Sequence, residues 1–373
     1  MGGGAGAELA KDGGAELKAL LQRAVPEVVR RQVELGIDVA NDGEYGKPSW
    51  TGYINGRLGG FEARPPAESS TMGLSTITQI SRDMRQFSEY YGEAIERGTL
   101  WHTSVALEGP PPTPMEYVCT EPITYIGQSI MQRDIDNLKG ALEMTPVVEA
   151  FLPVAAPASV EVGFKNGYYA TEEEFVFGLA EAMHEEYRLI VDAGLVVQID
   201  DAFIPAMWDL RETDLETYLK YCELRIEALN HALEGISPDM VRYHICWGSW
   251  HGPHVTDIPM KAIVELMLKI NAGAYVFEAA NVRHEHEYHL WDDVKLPEGK
   301  LLIPGVVSHA TSVVEHPDLV AERIIRYADR VGRENVLGGT DCGLGGRVHP
   351  QVAWAKLEAL VEGARVASKK LWP

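Results

Sequence analysis

His244 and Cys246 stand two apart in VRYHIC (241–246), Glu278 follows an apolar run in AYVFEAA (274–280), and Cys342 ends NVLGGTDC (335–342). In an extended strand, residues two apart project from one face, so His244 and Cys246 share a face. Neighbouring strand ends that bring Cys342 and Glu278 to the same place assemble one nitrogen, two sulfurs and one oxygen. Such a set suits a tetrahedral, borderline-soft ion, zinc (Zn2+) first. Taken alone, H-x-C fits a buried structural cysteine beside a satisfied histidine. Four metal-competent residues at successive strand ends shift the reading toward a metal. Further strand ends carry Asp42-Gly43-Glu44, Asp200-Asp201 and Ser308-His309.

Other polar clusters are read differently. His284, Glu285, His286, Glu287 and His289 look metal-rich, but the zinc-protease spacing H-E-x-x-H is absent. A solvated or site-rimming loop is expected there. WHGPH (250–254) is expected to shape the mouth of the site, with His251 and His254 outside the ligand set. Cys119 and Cys222 lack metal-like neighbours, and Cys222 lies on an amphipathic helix as a packing residue.

These strand ends belong to a repeated pattern of short β-branched runs alternating with long amphipathic helices. Strands are expected at 37–43, 147–155, 195–200, 241–246, 274–280, 301–307 and 335–342. Helices are expected at 15–35, 129–143, 171–193, 213–234, 258–271, 317–331 and 350–369. Thr171 before three glutamates marks a helix start, Thr213 is the expected N-cap of its helix, and Pro317 sits in a first turn. Residues 50–115 read as a long irregular insertion, broken by GPPPTP (109–114), and 116–127 as a hairpin. Seven or eight β/α units in one chain predict an α/β fold of the (β/α)8 TIM-type barrel class. An open doubly wound sheet is the competitor, but no G-x-G-x-x-G turn follows any early strand. The expected organisation is a flexible lead-in over 1–14 and one catalytic barrel over 15–373, with active residues at the C-terminal ends of its strands.

Composition narrows the function classes. The formal net charge is −22, from 33 basic and 55 acidic residues, which leaves no broad positive field for nucleic acid or an anionic membrane. No run of about 18 apolar residues offers a membrane span. The start, MGGGAGAELAKDGG, has no apolar core of a signal peptide. Four cysteines are too few for a disulfide framework, so a reducing cytoplasmic setting is expected.

With HIC, FEAAN and TDCG on the page, the chain resembles the C-terminal catalytic barrel of cobalamin-independent methionine synthase. It is more similar still to the short single-barrel relatives, a group that includes epoxyalkane:coenzyme M transferase. The likeness runs from about residue 15 to the C-terminus through several ordered motifs. It implies that His244, Cys246, Glu278 and Cys342 hold zinc. It implies that Glu44 and Asp200, with Gln198 beside it, grip the amino-acid thiol, and that His309 is the proton donor. Three features depart from the family. The Gly-Ser-(aromatic or Leu)-Pro strand that opens its barrel is absent, so the first strand is missing here or another segment closes the barrel. The tryptophan that stacks folate after the strand equivalent to 147–155 is replaced by FLPVAAPASVE. The duplicate N-terminal barrel of the long synthases is lacking.

The implied chemistry is alkyl transfer to a thiol. A free thiol has a pKa near about 8.5 and is mostly protonated at neutral pH; coordination to a metal deprotonates it. The thiolate then attacks a methyl or other alkyl carbon while His309 protonates the leaving nitrogen or oxygen. Carboxylates at positions 44 and 200 favour an ammonium-bearing acceptor, hence homocysteine, and the resemblance implies a methyltetrahydrofolate-type donor. Two alternatives stay open: transfer to another thiol such as coenzyme M from an epoxide or corrinoid donor, and a non-catalytic zinc barrel.

Overall fold

The computed structural model describes residues 14–65, 81–100 and 115–373. Most of the expected lead-in and the GPPPTP breaker lie outside the described residues. In chain order the elements are α1 (Gly14–Leu35), β1 (Val39–Asn41), β2 (Leu58–Arg64), α2 (Arg82–Gln86), α3 (Ser88–Glu96), β3 (Glu116–Tyr125), α4 (Gln128–Met144), β4 (Glu149–Ala155), α5 (Pro157–Glu161) and β5 (Phe164–Asn166). There follow α6 (Glu172–Asp192), β6 (Val196–Asp201), α7 (Phe203–Leu210), α8 (Leu215–Ala232), β7 (Val241–Ile245), α9 (Met260–Met267), β8 (Ala274–Phe277), β9 (Leu301–Val307), α10 (Pro317–Val331), β10 (Gly339–Thr340) and α11 (Pro350–Leu371). Strands alternating with helices make this an α/β protein. Among the described residues no helix is long and apolar enough to cross a membrane.

The chain divides into two compact units. The first comprises, of the described residues, 14–65, 115–200 and 224–242. Its main sheet is parallel: β1 pairs with β4 (Ala40 with Ala150) and β4 with β6 (Val154 with Ile199). Parallel strands need helical crossovers, and α4 and α6 supply them. The α6 crossover begins as the sequence predicts. Thr171 accepts from the Glu174 N–H while the Glu174 carboxylate reaches back to the Thr171 N–H, a capping box that supports a helix start by about 1 kcal/mol. Val154, Leu179, Met183, Val197 and Ile199 are fully buried between these layers, each contributing roughly 1.5–3 kcal/mol.

A second, small sheet in this unit corrects two expectations. Residues 116–127 do not form a hairpin. They form one strand, β3, antiparallel to β2 and parallel to β5. The partner strand β2 lies inside the stretch expected to be irregular, which also carries α2 and α3. Pro122, which reads as a turn residue, instead faces a bulge: Gly60 has φ +92°, and a Cβ there would lie 2.6 Å from the Pro122 carbonyl oxygen. Pro122 has no N–H for the ladder, so the bulge falls where no bond is available.

The second unit comprises, of the described residues, 81–100, 201–223 and 243–373. Here β8, β9 and β10 run parallel. Val306 and Val307 of β9 pack with Val320, Ala321 and Ile324 of α10 and with Leu360 and Ala367 of α11. The N-cap of α8 is Asp214 and not Thr213: its carboxylate accepts from the Thr217 N–H at 2.9 Å. Asp outranks Thr in this role, which explains the one-residue difference. Helix α7 is not among the expected helices, because FIPAMWDL is short and apolar nearly throughout.

Candidate metal centre and thiol site

The second unit gathers most of the residues with metal chemistry. His244 and Cys246 close β7 and are buried, with Ile245 pointing the other way as strand alternation requires. Cys342 follows β10 through Asp341. A ring nitrogen of His244 and the sulfurs of Cys246 and Cys342 all lie within 4.8 Å of one another. The Cys246 thiol hydrogen-bonds to Cys342; that bond, with His244 beside it, holds Cys342 well below the ordinary thiol range. The same bond and burial push Cys246 up.

Glu278 is grouped by the geometry with His309 and Asp341, whose ligand atoms also lie within 4.8 Å of one another. Glu278 is buried, and each of its oxygens has one donor: the Trp247 N–H on Oε1 at 2.9 Å and Asn281 Nδ2 on Oε2 at 2.6 Å. Burial, then the neighbouring Asp341, pushes its carboxyl up to about 8. Asp341 Oδ1 accepts from the N–H groups of Ala279 (2.7 Å) and Ala280 (2.8 Å), tying the Cys342 turn to the Glu278 turn. Ser249 Oγ donates to Cys342 Sγ at 3.3 Å. His309 is buried, its Nδ1 has no hydrogen-bond partner among the described residues, and burial pushes its imidazole down to about 4.

One nitrogen, two sulfurs and a nearby carboxylate, buried except for the half-buried Cys342, suit a borderline-soft divalent ion. The expected ligands are therefore brought together in one unit, Glu278 in the adjoining group. The His-rich stretch is not solvent-facing throughout: His284 is buried, while His289 is exposed. Sequence spacing does not reveal Trp247, Asn281 and Ser249 as hydrogen-bond partners of the ligands, nor Asp341 as the tie between the two turns. Only the last carried a signal, as the residue before Cys342.

The first unit holds Glu44, Gln198 and Asp200. Glu44 sits at φ +56° in the turn after β1, where the Asp42 carboxylate accepts its N–H at 3.0 Å. Its Oε1 accepts from Lys47 Nζ at 3.0 Å, and that ammonium, buried to 6% side-chain exposure, also donates to the Pro153 carbonyl. Gln198 Nε2 donates to Asp200 Oδ1 at 2.9 Å, and Gln198 Oε1 is buried with no partner among the described residues. Arg242 is half-buried over the Phe151 ring, 4.1 Å from its centroid. Burial lowers its guanidinium to about 10, with Glu149 and Asp200 opposing the shift. Each carboxylate expected to grip an ammonium thus has a cation of this unit nearby. For Lys47 the spacing i, i+3 from Glu44 was the available signal.

Comparison with known proteins accords with this arrangement. Methionine synthases from Thermococcus kodakarensis and Saccharolobus solfataricus are 23% and 24% identical, each over 95% of this chain and over 85% and 87% of their own lengths. The solved B12-independent methionine synthase from Shewanella sp. W3-18-1, in complex with selenomethionine, superposes with a TM-score of 0.70 at 18% identity, covering 96% of this chain and 90% of that one. That likeness establishes the fold class as the (β/α)8 barrel. Residues 167–366, more than half of the chain, match the family described as the cobalamin-independent synthase catalytic domain, and the protein belongs to that family.

Proposed function

We propose that this chain is a zinc-dependent thiol alkyltransferase that methylates homocysteine to methionine from a methyltetrahydrofolate-type donor, without cobalamin and in the cytoplasm. One observation carries the reading: the His244 imidazole and the Cys246 and Cys342 sulfurs lie within 4.8 Å of one another at strand ends. Membership of the methionine synthase-type family supports it.

His244, Cys246 and Cys342 would hold the ion, with Glu278 as the fourth ligand. Bound zinc supplies a deprotonated, nucleophilic acceptor thiol at neutral pH. Trp247 and Asn281 each hold one oxygen of Glu278, and these bonds would keep that carboxylate satisfied whether or not it ligates the ion. His309 would deliver a proton to the leaving nitrogen or oxygen of the donor, which balances the proton the acceptor thiol loses. Glu44 and Asp200, with Gln198, orient the ammonium end of the acceptor. A second acceptor class is favoured by Lys47, whose buried ammonium lies on Glu44. An acidic thiol such as coenzyme M would take that cation as its partner.

Zinc-edge X-ray absorption on the purified protein, with homocysteine and separately with coenzyme M, tests the reading. Two sulfur ligands rising to three with homocysteine is the expected result. A rise with coenzyme M alone selects the second acceptor. An unchanged shell with both thiols marks an inert zinc site, and full zinc with full activity in Cys246→Ser refutes the ligand assignment.

A further inference from the structure

The HEHE stretch contributes no ligand to the groups above, yet His284 is buried and bonded at both ring nitrogens. Its Nδ1 faces Glu287 Oε2 at 2.8 Å and its Nε2 faces Asp257 Oδ2 at 3.2 Å. The other Asp257 oxygen lies 3.2 Å from His254 Nδ1, and His254 Nε2 lies 3.0 Å from the Trp250 carbonyl oxygen. A continuous chain therefore runs Glu287, His284, Asp257, His254. Each imidazole in it carries a tryptophan: Trp247 on His284 at 4.1 Å between centroids and 29°, Trp250 on His254 at 4.5 Å and 25°. Burial opposes a charge on His284, but the bonds to Asp257 and Glu287 overcome it and bring the imidazole up to about 10. With a carboxylate oxygen at each ring nitrogen, the geometry is that of an imidazole donating from both.

The chain acts on the loop that leaves Cys246. His254 is a non-glycine residue at φ +54°, an unfavourable conformation that persists only where its surroundings impose it. Asp83 helps to impose it, accepting from the N–H groups of His254 at 3.2 Å and Val255 at 2.9 Å. The loop so held delivers two donors: the Trp247 N–H to Glu278 and the Ser249 hydroxyl to Cys342.

We propose that the Glu287–His284–Asp257–His254 chain is a positioning device that locks this loop, so that Trp247 and Ser249 hold Glu278 and Cys342 in place for the metal ion. His284 and Ser249 are positioning residues, and the inference rests on the zinc reading above. Partners that orient metal ligands typically contribute about 10–100-fold to metal affinity.

The test uses the full chain stripped of metal, with zinc affinity measured by competition against a chromophoric chelator. Thermal unfolding of the metal-free form runs alongside. His284→Phe keeps an aromatic ring against Trp247 and removes both ion pairs; it is expected to weaken zinc binding by roughly 10–100-fold. Ser249→Ala removes one hydroxyl and covers the case in which His284→Phe does not fold. Its expected loss is about 5-fold, the equivalent of one ordinary hydrogen bond. Lower thermal stability with unchanged zinc affinity in both variants would make His284 a packing residue and overturn the proposal. A wild-type chain that takes up no zinc overturns the zinc reading and this inference together. A wild type that binds zinc, with variants that bind it equally well, overturns only the inference.

Discussion

Gly305→Ala probes a close backbone approach beside the metal group. Gly305 lies in β9 opposite Gly339 of β10, just where the strand register shifts. A Cβ at this position would stand 2.3 Å from Asp341 Oδ1, 2.4 Å from its Cα and 2.5 Å from its main-chain nitrogen. Two of those atoms are backbone, so no rotamer change relieves the clash. The strands must part by about 1 Å to restore ordinary contact distances. Parting them stretches the Asp341 N–H bond to the Val307 carbonyl (3.0 Å) and the two bonds from Ala279 and Ala280 to the Asp341 carboxylate. Overpacking costs about 1–3 kcal/mol, and bonds to a charged group contribute roughly 1.5–3 kcal/mol each when lost. With partial loss of the latter, the expected destabilisation is about 3–5 kcal/mol. Urea unfolding followed by circular dichroism reads this directly. Cys342 follows Asp341, so zinc affinity is expected to fall by at least about 10-fold in the same variant. Gly343→Ala is the matched control: a Cβ there meets nothing within 4 Å, and little change is expected. A Gly305→Ala protein with wild-type stability and wild-type zinc affinity would refute the reasoning that this contact sets the position of Cys342.

Two further outcomes follow from the first unit. Arg57 is 1% exposed and pairs with Asp134 at 2.7 Å and with Glu186, so Arg57→Met leaves the buried Glu186 carboxylate without its ion-pair partner and Asp134 with Arg133 alone. A loss of about 3–5 kcal/mol is expected in urea unfolding, and a change under about 1 kcal/mol would show that the network contributes no more than a surface pair. Burial, opposed by Lys47 and by the bond from the Glu44 N–H, raises the Asp42 carboxyl from 3.8 to about 6. A raised acid favours the folded state only while protonated: its stabilisation is complete below about pH 4 and is lost as pH rises through about 6. Asp42→Asn stays neutral, so it is expected to be more stable than wild type by about 3 kcal/mol at pH 8 and equal to it near pH 4. Equal gains at both pH values, or a loss at pH 8, would count against burial as the dominant influence on Asp42.

What could be read from the amino-acid order alone has a local physical cause. Alternation of β-branched runs with amphipathic helices gave the parallel β/α architecture, because strand and helix periods are properties of consecutive residues. The same period of two placed His244 and Cys246 on one face, and the Thr171–Glu174 spacing located the start of α6. Other features depend on which segments meet in space. The pairing of β2 with β3 joins residues about sixty apart around a bulge that no local pattern announces. The approach of Cys342 to His244 and Cys246 depends on how far the register carries the turn after β10. Lys47 on Glu44 and Arg242 near Asp200 temper two carboxylates that look free in the sequence. His284 looks like part of a solvated His-rich loop until Asp257 and Trp247 close around it. Periodicity is set by the backbone and each side chain in turn, whereas burial, charge pairing and convergence on one ion are set by packing between distant segments.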